Sequence, residues 1–201
     1  MLKVNAALLR CFRDWRRLLI GSVLAPIPGV NLIVTGYAIR AGVSFTEKPY
    51  QLPSWRPLGP LVRDGVLVLL LTLAAMVPLL IITQVLIAAQ NVVSGRTLWL
   101  IPFTYLVLIS YVLPAIIAVY GRAGSLAAAL DAPAIYYSVT TATYLKVWLA
   151  ATIGALLIFG AGLLLTVLTA PTILLPFLVV GASSFVAQCF FLALFADLFR
   201  T

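Results

Sequence analysis

The sequence predicts an all-α integral membrane protein, and three observations carry that prediction. Of the 201 residues, 64% are apolar and only 9% are charged, whereas a soluble domain carries about 25% charged residues. The mean hydropathy of +1.17 leaves too little polar surface to cover a water-soluble core. Four apolar runs also reach the length of about 20 residues that a helix needs to cross a bilayer. We expect a single membrane domain over residues 1–201, located in the cell membrane.

The first predicted element is an amphipathic helix over residues 1–17 that lies in the membrane interface. Arg10, Arg13 and Arg17 fall on one helical face. The opposite face collects Val4, Leu8, Cys11, Phe12, Trp15 and Leu19. This pattern places arginines over anionic headgroups and the tryptophan at headgroup depth, so Arg10, Arg13, Trp15 and Arg17 are the predicted membrane-surface residues. A helix packed on a partner protein would show the same pattern.

Residues 18–39 form an apolar segment that is not expected to be one straight helix. Pro26 and Pro28 remove backbone donors, and Gly29 adds a flexible joint before Asn31. The segment is too short for two full crossings of about 20 residues each. It therefore either spans the membrane as a broken helix or is re-entrant, returning to the side from which it entered.

Residues 40–64 are predicted to form a cytoplasmic loop on the membrane interface. Four prolines preclude a continuous helix there. Tyr50 and Trp55 support an interfacial position because both side chains favour headgroup depth.

Four transmembrane helices are predicted in the remainder of the chain. Their ranges are 65–90, 97–120, 145–169 and 171–196, with expected kinks at Pro78, Pro102 and Pro114. Residues 121–144 are predicted to form two short interfacial helices between the second and third of these. Asp131 is expected to cap the second short helix, with Pro133 in its first turn.

The positions of Lys and Arg predict the topology. If 18–39 is re-entrant and both termini are cytoplasmic, twelve of the 13 Lys and Arg residues lie inside and only Arg96 lies outside. A single crossing by 18–39 divides these residues almost evenly between the two sides. Because Lys and Arg are retained on the cytoplasmic side, the sequence favours the re-entrant arrangement.

Few polar groups lie within the predicted spans. Gln84 and Gln188 are expected to bond each other or backbone carbonyls across helices. Gly154 belongs to a run of small residues on the third span, where helix backbones can approach closely. That surface is consistent both with packing inside the bundle and with docking to another chain.

The composition excludes most catalytic chemistry. The chain has no histidine, five carboxylates and two cysteines, Cys11 and Cys189. It therefore lacks the residues for imidazole catalysis, a His-ligated metal or a Cys-only metal cage. We expect no enzyme activity, no cofactor and no metal site. Because the basic residues lie beside apolar runs, we expect anionic lipid headgroups, and not nucleic acid, to be partners.

Several short motifs, in their order and spacing, resemble a known family. They are Gly36-Tyr37 followed by Arg40, Leu52-Pro53-Ser54-Trp55, Asp64-Gly65, Tyr120-Gly121, Ala129-Leu130-Asp131, Tyr144-Leu145 and Leu175-Pro176-Phe177. Over residues 18 to 197 the chain is similar to the archaeal and bacterial DUF4013 membrane proteins. Family members often carry acids around the Pro-x-Trp element, where this chain has Ser54 and Arg56. The family is of unknown function, so the resemblance implies an architecture and no substrate or catalytic residue.

Two functions are compatible with these features. The first is a scaffold or accessory subunit of a larger membrane complex, bound to other membrane-protein subunits or to itself. The second is a carrier or channel for a neutral solute or lipid, built around the broken segment 18–39. The candidate structural or binding residues are Pro26, Pro28, Gly29, Asn31, Gly36, Tyr37, Arg40, Trp55, Gln84, Asp131, Gly154 and Gln188.

Overall fold

The computed structural model describes residues 4–88, 99–169, 172 and 174–198, and all regular secondary structure in these ranges is helical. The helices are α1 (Val4–Arg13), α2 (Trp15–Leu24), α3 (Asn31–Phe45), α4 (Leu58–Ala88), α5 (Leu100–Ala123), α6 (Leu126–Ala129), α7 (Ala132–Val139), α8 (Ala142–Leu168) and α9 (Leu174–Leu198). Among the described residues, four helices are long and apolar enough to cross a membrane: α4, α5, α8 and Leu174–Phe195 of α9. The predicted fold class is confirmed.

The helix ends differ from the predicted spans in ways that proline and capping explain. α4 begins at Leu58 rather than at residue 65, because Pro60 falls in the first turn, where a missing N–H costs no helical hydrogen bond. Pro78 and Pro114 lie inside α4 and α5, whereas Pro102 lies in the first turn of α5. The predicted ends at residues 90, 97 and 171 lie outside the described residues.

The two short interfacial helices that were predicted between the second and third spans correspond to α6 and α7. Ser125 caps α6, its side chain accepting a hydrogen bond from the Ala128 N–H. α7 begins directly after Asp131 and carries Pro133 in its first turn, as predicted. Thr141 then caps α8 by accepting from the Tyr144 N–H at 3.1 Å, which starts that helix at Ala142.

The N-terminal region is helical but is divided at Asp14. The Asp14 carboxylate accepts a hydrogen bond from the Arg17 N–H at 3.3 Å and pairs with the Arg17 guanidinium at 2.9 Å. This cap ends α1 and begins α2. The predicted surface position is wrong for Arg10, which is fully buried. Phe12 and Trp15 are 57% and 63% exposed on the protein surface, as the apolar side chains of an interfacial helix are expected to be.

The apolar segment 18–39 is broken where the prolines predicted. α2 ends at Leu24, and α3 begins at Asn31 after a turn in which Gly29 adopts a φ of +80°. Both helices pack along α9. Along α2, Gly21 contacts Phe185 and the following Ser22 contacts the earlier residue Gly181. Along α3, Tyr37 contacts Phe185 and the later Gly42 contacts the later residue Leu192.

These contacts show that α2 and α3 run in opposite directions along α9. The chain therefore reverses direction between these two helices, and the Arg10 guanidinium on α1 donates to the Ala41 carbonyl near the end of α3. With 10 and 15 residues, both helices are shorter than the roughly 20 residues needed to cross a bilayer. The hairpin has the shape that the re-entrant alternative requires.

This hairpin predicts a labelling pattern. Single cysteines replacing Arg16, before the turn, and Lys48, after it, are expected to react with a membrane-impermeant maleimide from the same side of sealed vesicles. A cysteine replacing Thr172, between α8 and α9, is expected to react from the opposite side. The wild-type chain is the control, because Cys11 and Cys189 are both buried. Labelling of the first two positions from opposite sides would contradict the re-entrant hairpin.

α9 is the centre of the fold and contacts α1, α2, α3, α5 and α8. It contributes residues to two clusters of buried side chains. One contains Phe45, Tyr144, Phe190 and Phe195. The other contains Cys11, Tyr37, Leu61, Phe185 and Cys189. The hairpin of α2 and α3 is thus part of the core of the protein and is not a surface attachment.

Candidate functional site

The most completely buried charged group is Arg10 on α1. Its guanidinium donates to the Ala41 carbonyl at 2.8 Å, the Ser44 hydroxyl at 3.0 Å and the Gln51 carbonyl at 2.6 Å. It also lies over the Phe45 ring, 5.3 Å from its centre. Arg10 therefore joins α1 to the end of α3 and to the loop that follows. Its assignment to the membrane surface is wrong because the side chain is fully buried and both of its terminal nitrogens donate to neutral oxygens of the protein.

Burial lowers the pKa of the Arg10 guanidinium, and the neighbouring Cys189 and Cys11 partly oppose that shift. Since an arginine pKa normally lies far above neutrality, the group keeps its charge. A hydrogen bond with Cys189 lowers the pKa of the Cys11 thiol, and the charge of Arg10 acts in the same direction, against the effect of burial. Cys11 of α1 and Cys189 of α9 both belong to the buried cluster that packs these two helices together.

An aromatic stack holds the loop between α3 and α4. The Trp55 ring lies 3.8 Å from the Tyr37 ring at an angle of 15°, and 6.0 Å from Phe185 of α9. The Tyr37 hydroxyl donates to the Pro53 carbonyl at 2.8 Å. Trp55 thus packs, half-buried, against the protein core, and its position at the membrane interface stays a prediction. Within the same range 40–64, both ends are helical, as parts of α3 and α4.

A third cluster surrounds Asp64, where α3, α4 and α5 meet. The carboxylate accepts hydrogen bonds from the Tyr120 hydroxyl at 2.9 Å and from Arg63 at 3.2 Å. Arg40 of α3 lies 4.0 Å away. The antiparallel course of α4 and α5 explains this meeting, because the start of one helix faces the end of the next.

The Asp64 cluster lines a cavity of about 350 Å³. Its walls carry four ionisable side chains, Arg40, Glu47, Arg63 and Asp64, together with the Tyr120 hydroxyl. Asn31 is not among its lining residues. The site therefore offers two cations, two anions and a phenol at the polar end of the helices, a set suited to binding a polar group.

The other predicted candidates are dispersed over the fold. Pro26, Pro28, Gly29 and Asn31 form or flank the turn of the hairpin, and the Asn31 side-chain oxygen is buried without a partner among the described residues. A Cβ on Gly36 would overlap the Leu61 carbonyl oxygen. α3 and α4 are therefore in backbone contact.

The two span glutamines do not pair. Gln84 is exposed on α4, whereas the Gln188 amide donates to the Ser184 hydroxyl one turn earlier on α9. Gly154 packs against the Phe190 ring, so at this position the small-residue surface serves internal packing. Arg13, one of the predicted membrane-surface residues, lies over the Tyr50 ring, with its guanidinium carbon 5.1 Å from the ring centre.

The site includes residues that the sequence analysis did not select. Ser44 and Gln51 bind Arg10, and Glu47, Asp64 and Tyr120 line the cavity. One signal was available for two of them: Asp64 opens a predicted span and Tyr120 closes the next. In an antiparallel hairpin those two positions lie at the same end.

Asp64 is expected to matter more to stability than Asp131. Asp64→Asn keeps an acceptor for Tyr120 but removes the charge that faces Arg40 and Arg63, so we expect a loss of about 2 kcal/mol in the free energy of unfolding. Asp131→Asn keeps a side-chain oxygen at the start of α7, and the loss of a helix cap typically costs about 1 kcal/mol, so we expect the smaller effect there. Thermal unfolding in mild detergent measures both. Equal losses in the two variants would contradict the role given to Asp64.

The fold and the site together define an all-helical membrane protein in which a hairpin of two short helices, α2 and α3, packs on the last apolar helix. The family model described as "Protein of unknown function (DUF4013)" matches residues 18–170. The chain belongs to the DUF4013 family. Neither a curated protein nor a solved structure matches it.

Proposed function

We propose that this protein is a non-enzymatic scaffold or accessory subunit of a membrane complex, with both termini in the cytoplasm. The observation that carries the proposal is the unequal burial of its spans. In the most apolar stretch of α9, 44% of the residues are buried, compared with 11% in α4, 17% in α5 and 11% in α8. α4 and α5 thus form a hairpin with a wide apolar surface turned away from the core, available to another chain.

One face of α4 is suited to a second transmembrane helix. Leu73, Val77, Leu80 and Gln84 follow one another at spacings of four, three and four residues and are all exposed. This spacing places them on one side of a helix, as in the seam of a coiled coil. A glutamine that faces lipid leaves its amide without a partner, and a hydrogen bond to a neighbouring span is worth about 1–2 kcal/mol. We place the partner helix on this face.

The state of the nucleophilic side chains in the described helices supports a role without catalysis. The Ser183 hydroxyl donates to the Val180 carbonyl, and Ser184 accepts from Gln188. Cys11 and Cys189 are buried. These groups are engaged in local packing and hydrogen bonds, whereas a covalent catalyst needs a nucleophile that substrate can reach and an adjacent base.

Site-specific photo-crosslinking in native membranes tests the proposal. A photoreactive amino acid at Leu73 is expected to capture a discrete membrane protein or a second copy of this chain. The matched control is Leu156, which is exposed on α8 and lies outside the proposed seam. In a separate purification in mild detergent, without crosslinking, the same partner should remain bound to the wild-type chain. A chain that crosslinks only to lipid at both positions and purifies as a lone monomer would exclude the scaffold role.

A second candidate function is a carrier or channel for a neutral solute or lipid. It is favoured by the buried, unpartnered side-chain oxygen of Asn31 at the turn of the hairpin. The close approach of α9 weighs against it, because a Cβ on Gly181 would overlap the Ser22 carbonyl oxygen. Proteoliposomes loaded with glycerol discriminate the two. A flux abolished by Asn31→Leu and retained in Gln84→Leu would favour the carrier.

A further inference from the structure

A second cavity adjoins the polar one and differs from it in character. It has a volume of about 540 Å³ and runs along α4 past Val66, Leu67, Leu70, Leu71 and Ala74, with Leu126 of α6 at its side. The only charged residue among the described residues lining it is Arg63. Arg63 also lines the polar cavity. The Arg63 side chain therefore stands where a charged chamber meets an apolar groove, with its guanidinium on Asp64 in the polar cavity.

The length of the groove matches the acyl region of one leaflet. From Val66 to Ala74 a helix rises by about 12 Å, and half of the hydrocarbon core is about 15 Å thick. Both cavity volumes lie in the range of roughly 300–1,000 Å³ that is typical of ligand sites. A ligand that occupies both cavities needs a polar head and an apolar tail, which is the construction of a membrane lipid.

The charges in the polar cavity indicate the headgroup. Asp64 is already engaged by Tyr120, Arg63 and Arg40. Two guanidinium groups around one carboxylate leave one positive charge in excess, which favours a phosphate. The Glu47 carboxylate is exposed and makes no ion pair with a described residue, so it is available to an ammonium group.

We propose that the two cavities together bind one phospholipid with a zwitterionic amino headgroup. Its phosphate lies on Arg63, its ammonium group on Glu47 and one acyl chain along α4. Arg63 is the residue that positions the lipid, because it stands at the boundary between headgroup and tail. The groove reaches Ala74, beside the first residue of the proposed seam, but none of its lining residues belongs to the seam. The lipid site does not rest on the scaffold role, because a different set of side chains carries it.

Native mass spectrometry of the delipidated full chain tests the site. Dioleoyl phosphatidylethanolamine is expected to be retained more strongly than dioleoyl phosphatidylglycerol. Arg63→Gln is expected to weaken that retention about tenfold or more, because a charge-assisted contact is lost. Glu47→Gln should remove the preference between the two lipids. Leu70→Trp should fill the groove and lower the retention of both, whereas Leu156→Trp on α8 is the matched control and should change neither.

Each alternative outcome overturns a part of the proposal. Equal retention of the two lipids by the wild-type chain, or unchanged retention in Arg63→Gln, would exclude the headgroup assignment. O-phosphoethanolamine carries the headgroup without a tail, and competition by it as effective as that of the lipid would identify a site for a soluble phosphate compound. Thermal unfolding of each variant checks folding, and Val66→Trp replaces Leu70→Trp if the latter does not fold. The scaffold role is tested by photo-crosslinking at Leu73, which does not depend on lipid retention. A negative result in the lipid experiment therefore does not contradict the scaffold proposal.

Discussion

Replacing Arg10 by alanine is expected to destabilise the protein by roughly 3 kcal/mol or more. The substitution removes a buried guanidinium that donates hydrogen bonds to the Ala41 carbonyl, the Ser44 hydroxyl and the Gln51 carbonyl. A hydrogen bond to a charged group contributes about 1.5–3 kcal/mol, and a buried acceptor left without a donor adds its own desolvation cost. The change also opens a cavity beside Phe45, which costs further free energy. Thermal and denaturant unfolding in mild detergent measure the loss.

Two further variants separate the causes of this effect. Arg13→Ala removes an exposed arginine of the same helix and is expected to cost no more than about 0.5 kcal/mol. Arg10→Lys keeps the charge but not the planar fork of donors, so it should give an intermediate loss. If Arg10→Ala and Arg13→Ala unfolded at the same temperature, the contacts of Arg10 would be without importance to stability. A phosphate-binding arginine on the surface would show that result.

Gly65→Ala and Gly36→Ala are expected to disrupt the packing of α3 against α4. A Cβ on Gly65 would overlap the Leu32 carbonyl oxygen, and one on Gly36 would overlap that of Leu61. Both obstacles are backbone atoms, which cannot turn away as a side chain can. The helices would have to separate, which loses contacts along their whole interface. Overpacking of this kind typically costs 1–3 kcal/mol and occasionally more, and we expect values at or above about 3 kcal/mol here.

Gly160→Ala is the matched control for these two variants. Gly160 is also in the interior of a helix, but an added Cβ would meet no atom within 4 Å. Since alanine has the higher helix propensity by about 1 kcal/mol, this variant should be neutral or slightly stabilising. Unfolding temperature and the yield of monodisperse protein in detergent report the difference. Losses of equal size at Gly160 and Gly65 would show that helix propensity, and not the close approach, determines the outcome.

The sequence was sufficient for the elements because their causes are local. A bilayer stabilises a helix of about 20 consecutive apolar residues regardless of what lies beside it. The four spans can therefore be identified from the sequence alone. Pro26, Pro28 and Gly29 break the first apolar segment through their own backbone restrictions. The start of α7 after Asp131 follows from the same kind of local rule. Even the family could be identified from short motifs in a fixed order.

The sequence misled where one side chain had two plausible environments. Arg10 has the same helical spacing whether it faces headgroups or protein, and only the nearby end of α3 decides between them. Trp55 satisfies the rule for interfacial aromatics, but the sequence did not show that its ring stacks on Tyr37 and lies beside Phe185. Periodicity reports which residues share a face. It does not report what that face meets.

The sequence by itself determined the class of this protein, the number of its spans and the position of the break in its first apolar segment. Only the tertiary structure decided that the broken segment packs on α9, that Arg10 is enclosed, and that Asp64 meets Tyr120 across 56 positions of chain. The physical reason is the range of the forces involved. Hydrophobic burial in lipid and backbone restriction act on neighbouring residues, whereas a buried charge is defined by partners that the folded chain brings from elsewhere.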